Sequence, residues 1–108
     1  MADIGVVLLS AGSGRRMNSS VPKQYMDLCG KTVLRYSIEN FENAGAVKAI
    51  IIVTAENMIN DVWNNYVKPY NYKKVTQIIA GGKERYHSVY NGLLAMKGEG
   101  VDYVMIHD

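Results

Sequence analysis

Apolar residues fall into two patterns along the chain. Four short stretches, Ile4–Leu9 (IGVVLL), 49–54 (AIIIVT), Val75–Ala80 (VTQIIA) and 102–107 (DYVMIH), read as strands. The first two are almost unbroken apolar runs, the pattern of strands covered on both faces in a parallel sheet. Between them, apolar residues recur at helical spacing. Val33, Leu34, Ser37, Ile38 and Phe41 form one stripe; Ile59, Val62, Trp63, Tyr66 and Val67 form a second, ended by the Pro69 region. Val89, Leu93 and Met96 form a third, with Gly98 and Gly100 as stop signals. Strands alternating with helices predict right-handed βαβ units, an α/β class and a three-layer sandwich around a mostly parallel sheet. A strand order of 3-2-1-4 sets the first and fourth strands side by side at the topological switch point.

Composition narrows the class without naming a function. The chain has 108 residues, 48% hydrophobic and 20% charged. That is one domain's worth of core, and neither a disordered nor a collagenous chain. Twelve basic against ten acidic residues give a net charge of +2, too small a bias to predict nucleic acid as partner. The apolar runs fall far short of the ~20 residues that span a bilayer, and the Met-Ala-Asp-Ile start has no signal-peptide features. We therefore expect no membrane partner. The single cysteine, Cys29, excludes an internal disulfide and a Cys-pair metal site, so a reducing, cytoplasmic setting is the expectation. The sequence closes directly after its fourth strand segment, which leads us to expect residues 1–108 to be the N-terminal portion of one larger domain.

Two connections carry chemistry. Residues 10–31, between the first strand and its helix, are rich in Gly and Ser and then basic: Ser10, Ala11, Gly12, Ser13, Gly14, Arg15, Arg16 and Lys23. Glycines let backbone N–H groups wrap an anion, and Arg and Lys supply countercharge. The loop also leaves the carboxyl end of a strand, where open α/β sheets bind ligands. It is not a Walker A loop, and Met17 stands where a dinucleotide fingerprint needs its third glycine. Residues 80–91 (AGGKERYHSVYN) join the third strand to the third helix. Gly81-Gly82 permits close backbone approach, and the helix start favours an anion or a polar group; a plain glycine-capped turn has the same composition. Ser88, one turn in, offers a hydroxyl, and Gly92 suits close packing on the sheet. Asp108 ends the fourth strand. Beside bound phosphates its carboxylate suits Mg²⁺, while a solvated strand-end aspartate is the plain alternative.

Taken together, SAGSGRRM at 10–17, PKQY at 22–25 with Leu28 and Gly30, GGKERYHSV at 81–89 with Asn91-Gly92, and His107-Asp108 resemble the 2-C-methyl-D-erythritol 4-phosphate cytidylyltransferase family. The resemblance covers all 108 residues but only about the N-terminal half of the family's usual length. It implies the nucleotide-diphospho-sugar transferase type of Rossmann-like fold. It implies transfer of CMP from CTP to a sugar-alcohol phosphate with release of diphosphate, in non-mevalonate isoprenoid synthesis, with Mg²⁺ as cofactor. Ribitol-5-phosphate cytidylyltransferases share much of the pattern, and a CTP-binding fragment without turnover is a further alternative.

By this resemblance the backbone of Ser10, Ala11 and Gly12 contacts the nucleotide, with Ser at 10 where the family usually has Ala. Ser13 to Arg16 and Lys23 envelop the triphosphate, Arg16 and Lys23 being the catalytic cations. Gly82, Lys83 and Ser88 define the cytidine pocket, Arg85 supports it, Gly81 counts among the nucleotide-binding residues, and Asp108 binds the metal. The acceptor-binding basic residues and the dimerisation arm of the family have no counterpart here. Full-length members are expected to be homodimers, and this piece alone is expected to be inactive. The 3-2-1-4 order further predicts an uncovered apolar edge at the fourth strand, inviting self-association.

Overall fold

The computed structural model describes residues 2–10, 27, 28 and 30–108, with the backbone alone at Asp27 and Leu28. Among the described residues, β1 (Ile4–Leu9) comes first, then a short hairpin of β2 (Asp27–Leu28) and β3 (Lys31–Thr32). Next come α1 (Val33–Glu42), β4 (Val47–Thr54), α2 (Ile59–Val62) within a longer helical stretch, and β5 (Val75–Ala80). The last elements are α3 (Arg85–Met96) and β6 (Tyr103–His107). The main sheet runs β5-β4-β1-β6, parallel throughout. This is the 3-2-1-4 order of the four apolar segments. In register, Leu9 lies opposite Val53, Leu8 opposite His107, and Thr54 opposite Ala80. The carboxyl ends of all four strands therefore share one rim.

The central strands explain the layers. Val6, Leu8, Ile50 and Ile52 point to one face and pack with Leu34 and Ile38 of α1 and with Val62 and Val67. Val7, Ala49, Ile51 and Val53 point to the other face, with Met96 of α3. Each fully buried aliphatic side chain contributes about 1.5–3 kcal/mol, against ~0–1 kcal/mol for an exposed ion pair. Burial on both faces thus decides where the helices sit. No helix among the described residues is long and apolar enough to cross a membrane.

Helix α3 lies on the sheet by a different stripe than apolar periodicity suggests. Its buried residues are Ser88, Gly92 and Met96, while Leu93 is exposed, with Tyr86, Tyr90 and Leu94. Small residues at 88 and 92 let the helix come close. A Cβ on Gly92 would sit 2.4 Å from Val7 Cγ1, and one on Gly5 of β1 would sit 2.5 Å from Met96 Sδ. The second helical stretch also departs from a plain helix. It passes from α2 into a π-type turn over Trp63–Val67, which buries Val67 and leaves Trp63 exposed. A 3₁₀ turn, Lys68–Tyr70, carries Pro69 and ends at Asn71 in the left-handed region (φ 53°). Tyr103, Val104 and Met105 of the outer strand β6 are exposed, as an uncovered edge requires.

The hairpin and α1 fix the end of the glycine-rich connection. Gly30 takes φ +85°, a conformation that L side chains rarely adopt, so the chain reverses there. Thr32 caps α1, its Oγ1 accepting the Arg35 N–H at 3.2 Å. Glu39 gathers three donors: Lys31 Nζ at 2.5 Å, Arg35 at 3.1 Å, and the Tyr72 hydroxyl. Arg35 also lies 3.7 Å from the Tyr70 ring centroid. The Lys31 bond, then Tyr72 and Arg35, hold the Glu39 carboxyl down at about 2. Burial above all, aided by Glu39, pushes Tyr72 up to about 12, so its hydroxyl stays a donor.

Two predictions follow from this packing. Gly92→Ala should overpack against Val7, whose β-branched side chain has little room to turn. We expect a net loss of about 1–2 kcal/mol after the helix-propensity gain; a urea midpoint at or above the parent's would mean that α3 stands farther from β1. The Glu39 carboxylate contributes stability that is complete above its ordinary value of 4.5 and is lost as pH falls towards about 2. Its size is on the order of 1–3 kcal/mol, discounted for partial exposure. Glu39→Gln should lower stability at neutral pH and flatten the profile between pH 4.5 and 2; parallel profiles in acid would remove the assignment.

Candidate functional site

The shared rim brings Ser10, the Ala80–Gly82 turn, the start of α3 and Asp108 to one end of the sheet. Ser10 continues β1: its N–H reaches the Val53 carbonyl at 2.7 Å and its Oγ donates to the same oxygen at 3.2 Å. Its side chain is thereby turned into the sheet end. Ala11, Gly12, Ser13, Gly14, Arg15, Arg16 and Lys23 lie outside the described residues.

The glycine turn is held from two sides. Gly81 N–H donates to Thr54 O at 2.7 Å, carrying the β4–β5 ladder one residue further. Gly82 N–H donates to Ser88 Oγ at 3.2 Å. Ser88 is buried, so its oxygen serves the turn. The sequence analysis expects that hydroxyl at the cytidine pocket; in the structure its oxygen also accepts from the turn. Both glycine amides are thus satisfied internally, and among the described residues the Gly81 and Gly82 carbonyls accept no hydrogen bond. A trans peptide sets its C=O opposite its N–H. With Gly82 N–H aimed at buried Ser88, the Gly81 carbonyl is directed away from α3.

Sequence reasoning missed three residues here. His87 joins Glu84 in a capping box, its Nδ1 accepting the Glu84 N–H at 3.2 Å. It also explains Gly82: a Cβ there would lie 2.3 Å from His87 Cβ. Asn91 Nδ2 donates to Ala80 O at 3.2 Å. The ring of His107 meets the edge of Phe41 at 5.1 Å, and its buried Nδ1 has no hydrogen-bond partner among the described residues. The four-residue spacing of a capping box, here Glu84 to His87, is the signal that points to the cap; nothing in apolar periodicity points to Asn91.

Arg85 and Asp108 span the rim. Arg85 Nε and Nη2 donate to the two carboxylate oxygens of Asp108, each at 3.0 Å. The pair is exposed, and the carboxylate raises the guanidinium above its ordinary value. Lys83 is exposed beside it. No group of three acidic, histidine or cysteine side chains fit for a metal occurs among the described residues. A lone exposed carboxylate suits a cation that takes its remaining ligands from phosphates and water. Hollows elsewhere among the described residues include one of about 250 Å³ beside Trp63 and Ile78, one of about 610 Å³ beside Val67 and Tyr72, and a polar cleft of about 370 Å³ beside Arg35 and Tyr70.

A family model described as 2-C-methyl-D-erythritol 4-phosphate cytidylyltransferase matches residues 4–108. The protein of that name from Lachnoclostridium phytofermentans is 47% identical over 108 residues, all of this chain and 45% of that protein. The one from Clostridium botulinum (strain Okra) is 40% identical over 108 residues, 46% of its length. The chain therefore spans about half the length of the curated relatives it matches. Among solved structures, 4-diphosphocytidyl-2C-methyl-D-erythritol synthase from Anaerococcus prevotii superposes with a TM-score of 0.71 at 24% identity, over 99% of this chain and 43% of that one. The inositol-1-phosphate CTP transferase of T. maritima gives 0.62 at 18% identity, over 98% and 44%. At these identities the two structures demonstrate a shared fold.

Ser88→Ala would leave the Gly82 N–H without its acceptor. We expect a loss of about 0.5–1.5 kcal/mol and faster hydrogen exchange at the Gly82 amide. Exchange at the parent's rate would mean that Ser88 does not brace the turn.

Proposed function

The chain belongs to the 2-C-methyl-D-erythritol 4-phosphate cytidylyltransferase family, and we propose that it forms the nucleotide side of a site transferring CMP from CTP to 2-C-methyl-D-erythritol 4-phosphate, with release of diphosphate. The observation that carries the reading is the glycine turn, whose amides are used internally while its carbonyls accept no hydrogen bond among the described residues. Cytosine offers an amino group at position 4 where uracil offers an oxygen. An outward Gly81 carbonyl attracts the first and opposes the second. Mispairing a desolvated polar group costs about 1–3 kcal/mol, enough for roughly tenfold discrimination or more.

The remaining roles are those that membership of the family implies, and charge accounts for them. An acceptor phosphate oxygen attacks the α-phosphorus of CTP, and negative charge grows on a five-coordinate phosphorus. No covalent enzyme intermediate is needed, so catalysis is positioning and electrostatic stabilisation. The backbone of Ser10, Ala11 and Gly12 would follow the nucleotide, and Ser13 through Arg16 would wrap the triphosphate. Arg16 and Lys23 would stabilise the charge that develops during transfer. Lys83 would lie along the cytidine, with Arg85 supporting the pocket. Asp108 would hold Mg²⁺ together with the nucleotide phosphates, and the bound ion would neutralise their charge. To do so, its carboxylate must share or exchange the Arg85 guanidinium.

Calorimetric titration with CTP, UTP, ATP and GTP in the presence of Mg²⁺ tests the reading. We expect CTP to bind at least about tenfold tighter than UTP. Equal affinities in a folded protein would remove the cytidine assignment.

A further inference from the structure

We propose that Asn91 is a positioning residue for nucleotide-base selection, acting through the Ala80–Gly81 peptide; the inference rests on the reading that the glycine turn faces the base. Asn91 and Ser88 stand three residues apart on α3 and so share one face of the helix. Ser88 Oγ takes the Gly82 N–H, and Asn91 Nδ2 gives a hydrogen bond to Ala80 O, each at 3.2 Å. Ala80 O is only an acceptor, so the amide nitrogen of Asn91 must face it.

The effect on the turn comes from peptide planarity. Ala80 C=O and Gly81 N–H belong to one rigid plane. The N–H end is fixed to Thr54 O at 2.7 Å, and Asn91 fixes the C=O end. The next plane is fixed at its Gly82 N–H end by Ser88, leaving Gly81 C=O to point away from α3. Glycine at 81 and 82 imposes little backbone restriction of its own. The direction of the ligand-facing carbonyl is therefore set by these bonds. Asn91 also has a set reach, because neighbouring Gly92 holds α3 against Val7. A second tie joins β5, three residues before Ala80, to the C-terminal end of α3 and the turn after it: Gln77 Nε2 donates to Ala95 O at 3.3 Å and to Glu99 at 2.9 Å. It serves as a control, since cutting it loosens the same strand without touching the turn.

The test measures dissociation constants for CTP and UTP, and thermal melting, in the parent, Asn91→Ala, Asn91→Asp and Gln77→Ala. Asn91→Asp keeps the shape and removes the donor, so it separates lost packing from the lost hydrogen bond. We expect both Asn91 variants to lower the CTP-to-UTP preference by a factor of about 5–10, the worth of one hydrogen bond, and Gln77→Ala to retain it. Folded Asn91 variants that keep the parent's preference would overturn the inference while leaving the pocket reading intact. An equal fall in Gln77→Ala would overturn it too, by showing that general loosening moves the ratio. A parent without any preference for CTP would overturn the pocket reading, and the inference with it. If Asn91→Ala does not fold, the isosteric Asn91→Asp decides alone.

Discussion

The depth at which α3 sits on the sheet is the constraint on which the rest depends. Gly92 leaves room for Val7, and Gly5 leaves room for Met96, so helix and strand approach as closely as backbone and side chain allow. A helix held at that depth brings its first two turns level with the strand ends. Ser88 and Asn91 then reach the β5 turn, and Arg85 reaches Asp108. A helix standing one methyl group farther out would present the same side chains to water. The small residues on the buried face are thus what converts a packing contact into a site.

Once α3 is in place, hydrogen-bond accounting decides the chemistry of the rim. Amide donors at the sheet end need acceptors, and here the fold satisfies those of Ser10, Gly81 and Gly82 with its own. What remains for a ligand on the glycine turn is acceptor character, beside an exposed lysine and an arginine–carboxylate pair. Acceptors on the turn and cations beside it are what the proposed cytidine nucleotide would require. The Glu39 cluster does the complementary structural work at the other end of the glycine-rich connection. It ties β3, α1 and the Tyr70–Tyr72 segment around one carboxylate.

The two central strands were legible because buried parallel strands write long apolar runs, and all four strands begin and end within two residues of the segments read from sequence. The sheet-facing stripe of α3 was not, because its contact residues are Ser88 and Gly92, which carry no hydrophobic signal, while Leu93 faces outward. The β2–β3 hairpin escaped notice since two-residue strands are too short for periodicity; only Gly30 marked it. Gly81, Gly82, Ser88 and Asp108 were legible from composition and position, and Arg85 from the resemblance alone; all five lie at one rim. Their partners were not. Whether Ser88 serves a ligand or Gly82, and whether Asn91 reaches Ala80, depends on tertiary distances that no local pattern encodes.

A crystal structure of the protein with CTP and Mg²⁺ tests the central claim most directly. The account predicts the cytosine 4-amino nitrogen at hydrogen-bond distance, about 2.7–3.2 Å, from the Gly81 carbonyl oxygen, with Gly82 N–H still on Ser88. A base lodged in the cleft beside Arg35 and Tyr70, or a turn whose glycine amides have swung round to donate to the nucleotide, would contradict it.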